Sequence, residues 1–103
     1  MEITNNLAYY IHDFSFNRDT RKLTKNGKEI LLNKKERNLL HLLISNPNKI
    51  VSYEEINAQI WLVNHEFMTQ NALRTVIKTL RMKLDETSLI KNVSGQGYII
   101  ESK

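Results

Sequence analysis

Alternating apolar and polar positions near the N-terminus predict short antiparallel strands. Phe14 and Phe16 alternate with polar neighbours, which is the period-two pattern of a half-buried strand. Further along, Asn26-Gly27 is a strong turn signal because this pair readily adopts the two positive φ angles of a type I′ hairpin. We therefore expect a small antiparallel sheet between Tyr9 and Leu32, with residues 1–8 as a leader or linker remnant.

Three segments with helical signals follow this region. Asn33 is positioned to cap the first helix, and Glu36 is positioned to return the bond as in a capping box. Ser52 and Glu55 repeat the arrangement before a second helix, and Thr69 is the predicted cap of a third. The third helix is the most regular, with apolar residues at intervals of four, three and four: Leu73, Ile77, Leu80 and Leu84.

A compact hairpin is predicted after the helices. Short strands at Ile90–Val93 and Tyr98–Glu101 flank Ser94-Gly95-Gln96-Gly97, a glycine-bearing turn. The order of sheet, three helices and hairpin predicts an α+β fold.

The third helix carries the most informative surface pattern. Its positive residues, Arg74, Lys78 and Arg81, lie on a flank of the apolar face, and Asn71, Thr75 and Met82 lie opposite that face. No acidic residue occurs between Gln70 and Lys83. A basic helix face of this kind suits the major groove of DNA. A charged stripe alone more often solvates a packed helix; two capped helices before it and a hairpin after it favour DNA binding.

The sequence resembles a known family at this point. The segment Asn71–Leu84, with Val93-Ser-Gly-Gln-Gly-Tyr98 after it, resembles the recognition helix and wing of the OmpR/PhoB family of response-regulator effector domains. The segments that resemble the family's first and second helices are Leu32–Leu40 and Val51–Ile56, with Trp61. The resemblance spans roughly Phe14 to Ile100.

This resemblance implies a winged helix-turn-helix fold for residues 9–103, with a four-stranded N-terminal sheet, three helices and a C-terminal β-hairpin wing. It also implies sequence-specific binding of double-stranded DNA by the output domain of a two-component response regulator. The third helix is expected in the major groove and the wing against the minor groove. The positions that match the family's DNA contacts are Asn71, Arg74, Thr75, Lys78, Thr79, Arg81, Asn92, Ser94 and Gln96.

The resemblance further implies other partners. The loop Leu62–Met68 matches the segment through which relatives contact RNA polymerase, and relatives carry a receiver domain in a longer chain. This loop is more apolar than the usual pattern, which indicates either a partner surface or additional core; we expect additional core.

Two positions depart from the family pattern. Ser94 stands where the family usually has an arginine that enters a narrow minor groove, and Thr79 stands where relatives often have a base-reading arginine. Direct readout is therefore expected to depend on Arg81 and Lys78, with the Thr75 methyl group available for a thymine.

The amino-acid composition limits the class of protein that this sequence can encode. The chain has 103 residues, 41% hydrophobic and 25% charged, which fits one globular domain. A net charge of +4 and a pI of about 9.4 favour a polyanionic partner weakly. The sequence contains no cysteine, which excludes disulfides and thiolate chemistry. Its apolar runs are too short to span a bilayer, and we expect a cytoplasmic protein.

Nothing in the sequence indicates catalysis, a cofactor or a metal. His12, His41 and His65 are too far apart to form a local metal motif. Gly95-Gln96-Gly97 lacks the third glycine and the following helix of a dinucleotide-binding motif. The alternative to DNA binding is therefore another binding function, a winged-helix module that binds a partner protein.

Overall fold

A four-stranded antiparallel sheet begins the fold. The computed structural model describes residues 8–11, 13–85 and 89–101. The strands, which pair in chain order, are β1 (Ala8–Ile11), β2 (Phe14–Asn17), β3 (Leu23–Lys25) and β4 (Lys28–Ile30). The predicted turn between β3 and β4 is confirmed, because Asn26 and Gly27 have φ angles of 53° and 81°. The predicted leader lies outside the described residues except for Ala8, which begins β1.

The three predicted helices and their caps are present. They are α1 (Lys34–Ile44), α2 (Tyr53–Ile56) and α3 (Gln70–Leu84). Asn33 and Glu36 form the predicted capping box of α1, and the Thr69 side chain accepts a hydrogen bond from Ala72 N at the start of α3. Ser52 caps α2 by accepting a bond from Glu55 N. These caps satisfy backbone N–H groups that the helices cannot satisfy internally.

The second helix changes its winding along its length. After α2 the chain continues as a π-helical turn, Asn57–Trp61, and a 3-10 turn, Leu62–Asn64. Ile60 and Trp61, in the wider turn, are both buried. The π-helical turn therefore completes the apolar side of the second helix, and that side ends at Trp61.

A second, three-stranded sheet carries the wing. The strands β5 (Val51–Ser52), β6 (Ile90–Val93) and β7 (Gly97–Ile100) pair in the order β5-β7-β6. Strand β5 was absent from the sequence-based prediction because it has two residues, too few to show a period. Its pairing with β7 attaches the wing to the start of α2.

The core lies between the N-terminal sheet, the helices and the wing, and it does not include the loop at residues 62–68. Val63 and Phe67 are 62% and 82% exposed, and Leu62 is also exposed. The expectation that this segment extends the core was therefore wrong for Leu62, Val63 and Phe67, although Met68 does pack against the core. Trp61 and Met68 pack into the core at its two ends, and the residues between them stay at the surface.

Candidate nucleic-acid interface

Helix α3 is fixed on one flank by a buried carboxylate of α1. Glu36 is 1% exposed. Its Oε2 accepts a hydrogen bond from the Thr79 hydroxyl at 2.5 Å, and its Oε1 lies 2.6 Å from Lys83 Nζ. Burial alone would raise the pKa of Glu36, but hydrogen bonds from Lys83, Thr79 and the Asn33 backbone lower it below its usual value. The carboxylate therefore stays ionised and ties the two helices together.

The other flank of α3 is fixed to the wing. The Arg81 guanidinium donates from Nε and Nη2 to the backbone carbonyl of Ile90, at 3.1 Å and 2.5 Å. Ile90 is fully buried at the start of β6. Two guanidinium N–H groups that donate to one carbonyl oxygen form a strong and directional contact. Arg81 therefore sets the position of the wing relative to α3.

The face of α3 between these two flanks is exposed. Its exposed residues are Asn71, Arg74, Thr75, Lys78 and Met82. The Thr75 hydroxyl donates to the Asn71 carbonyl at 2.9 Å, so its donor is used within α3 and its methyl group is available for contact with a partner. Arg74 lies close to the same turn, with Nη1 3.5 Å from Asn71 Oδ1. The predicted apolar side of α3 is buried, and Arg74 and Lys78 are exposed as predicted, whereas Arg81 is half-buried.

Three of the four cationic side chains of α3, all but Lys83, line one cleft beside the wing. The cleft has a volume of about 300 Å³. Its lining residues are Arg74, Ile77, Lys78, Arg81, Met82 and Tyr98. Burial and the neighbouring Tyr53 raise the pKa of Tyr98 above its usual value, although the positive charges of Arg81 and Arg74 act to lower it. Tyr98 therefore keeps its proton, and the cleft combines a hydroxyl donor with three positive charges.

The wing presents a polar turn. Ser94, Gly95 and Gln96 are exposed, and Gly95 has a φ of 75° that favours glycine. Asn92, by contrast, uses its amide within the protein, donating to Tyr53 Oη at 2.9 Å and to the Gly97 carbonyl at 3.1 Å. These two bonds connect β6 to β7 and to α2.

The nine predicted DNA contacts thus divide into two groups. Those with exposed side chains at the surface of α3 and the wing turn are Asn71, Arg74, Thr75, Lys78, Ser94 and Gln96. Those whose side chains bond to other elements of the protein are the half-buried Thr79 and Arg81 and the exposed Asn92. DNA contact by any of them remains a prediction.

Two features of the site were not predicted from the sequence. The ion pair of Glu36 with Lys83 joins residues 47 positions apart, and Glu36 was assigned only its local capping role. The second is Tyr98 of β7, which is only 6% exposed and yet lines the cleft. Local spacing carries no signal for either contact.

The described part of the chain also bears on metal binding and on membrane insertion. Within it, no group of three histidine, cysteine, aspartate or glutamate residues could hold a metal ion. His12, named among the scattered histidines, lies outside the described residues. None of the described helices is long and apolar enough to cross a membrane.

The fold and the exposed helix define a winged-helix domain. Residues 27–100 match the family described as "Transcriptional regulatory protein, C terminal". The chain belongs to this family, and it is an effector domain of the OmpR/PhoB type.

Similar proteins agree with this assignment. The chain is 37% identical over 93 residues to "Response regulator ArlR" of Staphylococcus aureus (strain Mu50), a match covering 87% of this chain and 42% of that protein. The chain therefore spans less than half the length of that response regulator.

Solved structures show the same architecture. The response regulator DrrB of Thermotoga maritima, an OmpR/PhoB homologue, superposes with a TM-score of 0.80 at 27% identity, over 93% of this chain and 45% of DrrB. The DNA-binding domain of Klebsiella pneumoniae RstA, solved in complex with the RstA box, gives a TM-score of 0.74 at 17% identity, over 91% of this chain and 96% of that domain. The latter likeness establishes the fold.

Proposed function

We propose that this chain binds double-stranded DNA with sequence preference and regulates transcription in the cytoplasm as the output domain of a response regulator. The observation that carries the proposal is the convergence of Arg74, Lys78 and Arg81 on one cleft beside the exposed face of α3. The similarity to ArlR and the fold shared with the DNA-bound RstA domain support it.

In this proposal the exposed face of α3 enters the major groove. Lys78 lies where it can reach guanine acceptors or a phosphate, and Arg74 approaches the DNA backbone. Ser94 and Gln96, at the tip of the wing, approach the neighbouring minor groove. One domain makes few contacts, so two copies bind adjacent half-sites about one helical turn apart. A receiver domain elsewhere in the protein brings the copies together.

The exposed loop at residues 62–68 supports a second contact. Leu62, Val63 and Phe67 are exposed apolar side chains close together in sequence, and we propose that this loop contacts RNA polymerase. Phe67→Ser is expected to reduce transcription from a bound promoter while DNA affinity is unchanged. Equal transcription by the variant and the wild-type protein would remove this contact from the proposal.

The DNA-binding proposal is tested by titration with DNA at several salt concentrations. Log affinity should fall with log salt by about 0.9 for each phosphate that the protein neutralises. Lys78→Gln and Arg74→Gln should weaken binding and reduce that slope. The matched control is Lys28→Gln, which removes an exposed charge from β4 in the N-terminal sheet.

Two results would contradict the proposal. Binding that does not depend on salt, or equal losses for Lys28→Gln and Lys78→Gln, would mean that the α3 cleft does not hold a nucleic acid. Such a result would favour the alternative, a winged-helix module whose partner is a protein.

A further inference from the structure

Two of the predicted DNA contacts, on the flanks of α3, are held by the protein itself. The Thr79 hydroxyl donates to Glu36, and two nitrogen atoms of Arg81 donate to the Ile90 carbonyl. Reading a base with either side chain would require breaking these contacts. Recognition is therefore more favourable for side chains in the middle of the exposed face.

Met82 lies in the middle of that face. Its side chain is 68% exposed, and it borders the cleft that Arg74 and Lys78 also line. Seven residues separate it from Thr75, which is two helical turns or about 10 Å along the same side of α3. A long apolar side chain and a threonine methyl group thus face outward in one line.

A single exposed methionine is common on protein surfaces and needs no explanation by itself. The position of Met82 is what makes it informative. The surface around it is the one that the proposed function inserts into the major groove, where a water-exposed apolar side chain gains from an apolar partner. The base edges in that groove offer one apolar group, the C5 methyl of thymine.

We propose that Met82 is a specificity-determining residue that contacts a thymine methyl group in the major groove. This inference rests on the proposed DNA-binding function. Met82 supplies a flexible, unbranched side chain that can settle against the methyl group. Removing one methyl group from such a contact costs about 0.8 kcal/mol, which is about a fourfold change in affinity.

The test uses deoxyuridine, which pairs as thymine does and lacks the C5 methyl group. A preferred DNA site is first selected from a random library with the wild-type protein, and each thymine is then replaced by deoxyuridine in turn. At one position, wild-type affinity should fall about three- to fivefold. Met82→Ala should bind the thymine and deoxyuridine versions of that position equally well.

Two further variants define the contact. Met82→Leu keeps an apolar side chain and should keep the sensitivity to the methyl group. Leu31→Ala truncates an apolar side chain of similar exposure, 75%, outside α3, and should leave every deoxyuridine effect unchanged.

The outcomes separate this inference from the proposed function. Methyl sensitivity that persists at every thymine in Met82→Ala would overturn the role of Met82 while DNA binding stands. Sensitivity that disappears in Thr75→Ser, and not in Met82→Ala, would assign the methyl contact to Thr75 and also overturn it. A wild-type protein that selects no sequence would contradict the proposed function, and the inference with it.

Discussion

The ammonium of Lys83 lies 2.6 Å from the buried carboxylate of Glu36. The pair joins the last turn of α3 to the first turn of α1, where Glu36 also accepts a hydrogen bond from the Asn33 backbone. Thr79 adds a third bond to the same carboxylate. One side chain therefore completes the cap of α1 and fixes the orientation of α3, the helix that carries the candidate interface.

Replacing Glu36 by alanine should destabilise the domain. The variant loses three hydrogen bonds, of which one comes from the Lys83 ammonium and one is half of the capping box, so the free energy of unfolding should fall by about 2–4 kcal/mol. Urea denaturation measures the change. Glu54→Ala is the matched control, because Glu54 is exposed in the first turn of α2 and its loss should cost less than about 1 kcal/mol. Similar losses in both variants would contradict the anchoring role of Glu36.

The same carboxylate should make stability depend on acid. Burial opposes ionisation of Glu36, yet its hydrogen bonds hold the pKa below the usual value of 4.5. The ionised carboxylate stabilises the folded protein fully above about pH 4.5, and this contribution is lost as pH falls through the lower pKa of the folded state. The gap in unfolding free energy between wild type and Glu36→Gln should therefore narrow on acidification from pH 6 to pH 3. A gap that widens would contradict the lowered pKa.

The sequence predicted those parts of the fold that depend on neighbouring residues. The cap at Asn33 and the turn at Asn26-Gly27 are local, and both are present as predicted. Arg81 shows the limit of this reasoning. The helical period placed it correctly on the flank of α3, but its partner is a carbonyl of β6, which only tertiary packing brings close. The exposed residues Val63 and Phe67 show the same limit, since hydrophobicity alone favoured burial.

Gly97 should not tolerate a side chain. A Cβ atom at this position would lie 1.9 Å from the Val51 carbonyl oxygen and 2.9 Å from Ser52 Cα. Because these are backbone atoms, β5 and β7 would have to separate, and Gly97→Ala should cost about 1–3 kcal/mol of unfolding free energy or more. Gly95→Ala is the comparison: it has open space and a φ of 75°, so the cost should be nearer 1 kcal/mol. A larger loss at Gly95 than at Gly97 would contradict the close strand contact.

Asn92 should affect DNA binding through Tyr53. Its amide donates to Tyr53 Oη, and Tyr53→Phe removes that acceptor while keeping the edge-to-face contact with Tyr98. If Asn92 only holds the wing, Asn92→Ala and Tyr53→Phe should each weaken DNA binding by about 0.5–1.5 kcal/mol, and the double variant should lose little more. Losses that add fully would instead identify Asn92 as a direct contact with DNA.

Arg81 should remain bonded to Ile90 when DNA is bound. Its Nε lies 3.1 Å from the Ile90 carbonyl oxygen, and this hydrogen bond can be followed by the scalar coupling between Arg81 ¹⁵Nε and the Ile90 ¹³C′ nucleus. We expect the coupling in the isolated domain and in its DNA complex. Arg81→Lys keeps the charge but loses the two-donor fork, so the free energy of unfolding should fall by about 1 kcal/mol.

Affinity measurements on two kinds of DNA then define what Arg81 does. An arginine that positions the wing contributes to binding whatever the sequence, so Arg81→Ala should weaken binding to the selected site and to random DNA by similar factors. If Arg81 instead donates hydrogen bonds to a guanine, Arg81→Ala should weaken binding by about 1–3 kcal/mol at the selected site and by little on random DNA. Loss of the coupling on DNA binding, together with a penalty confined to the selected site, would show that Arg81 leaves Ile90 to read a base.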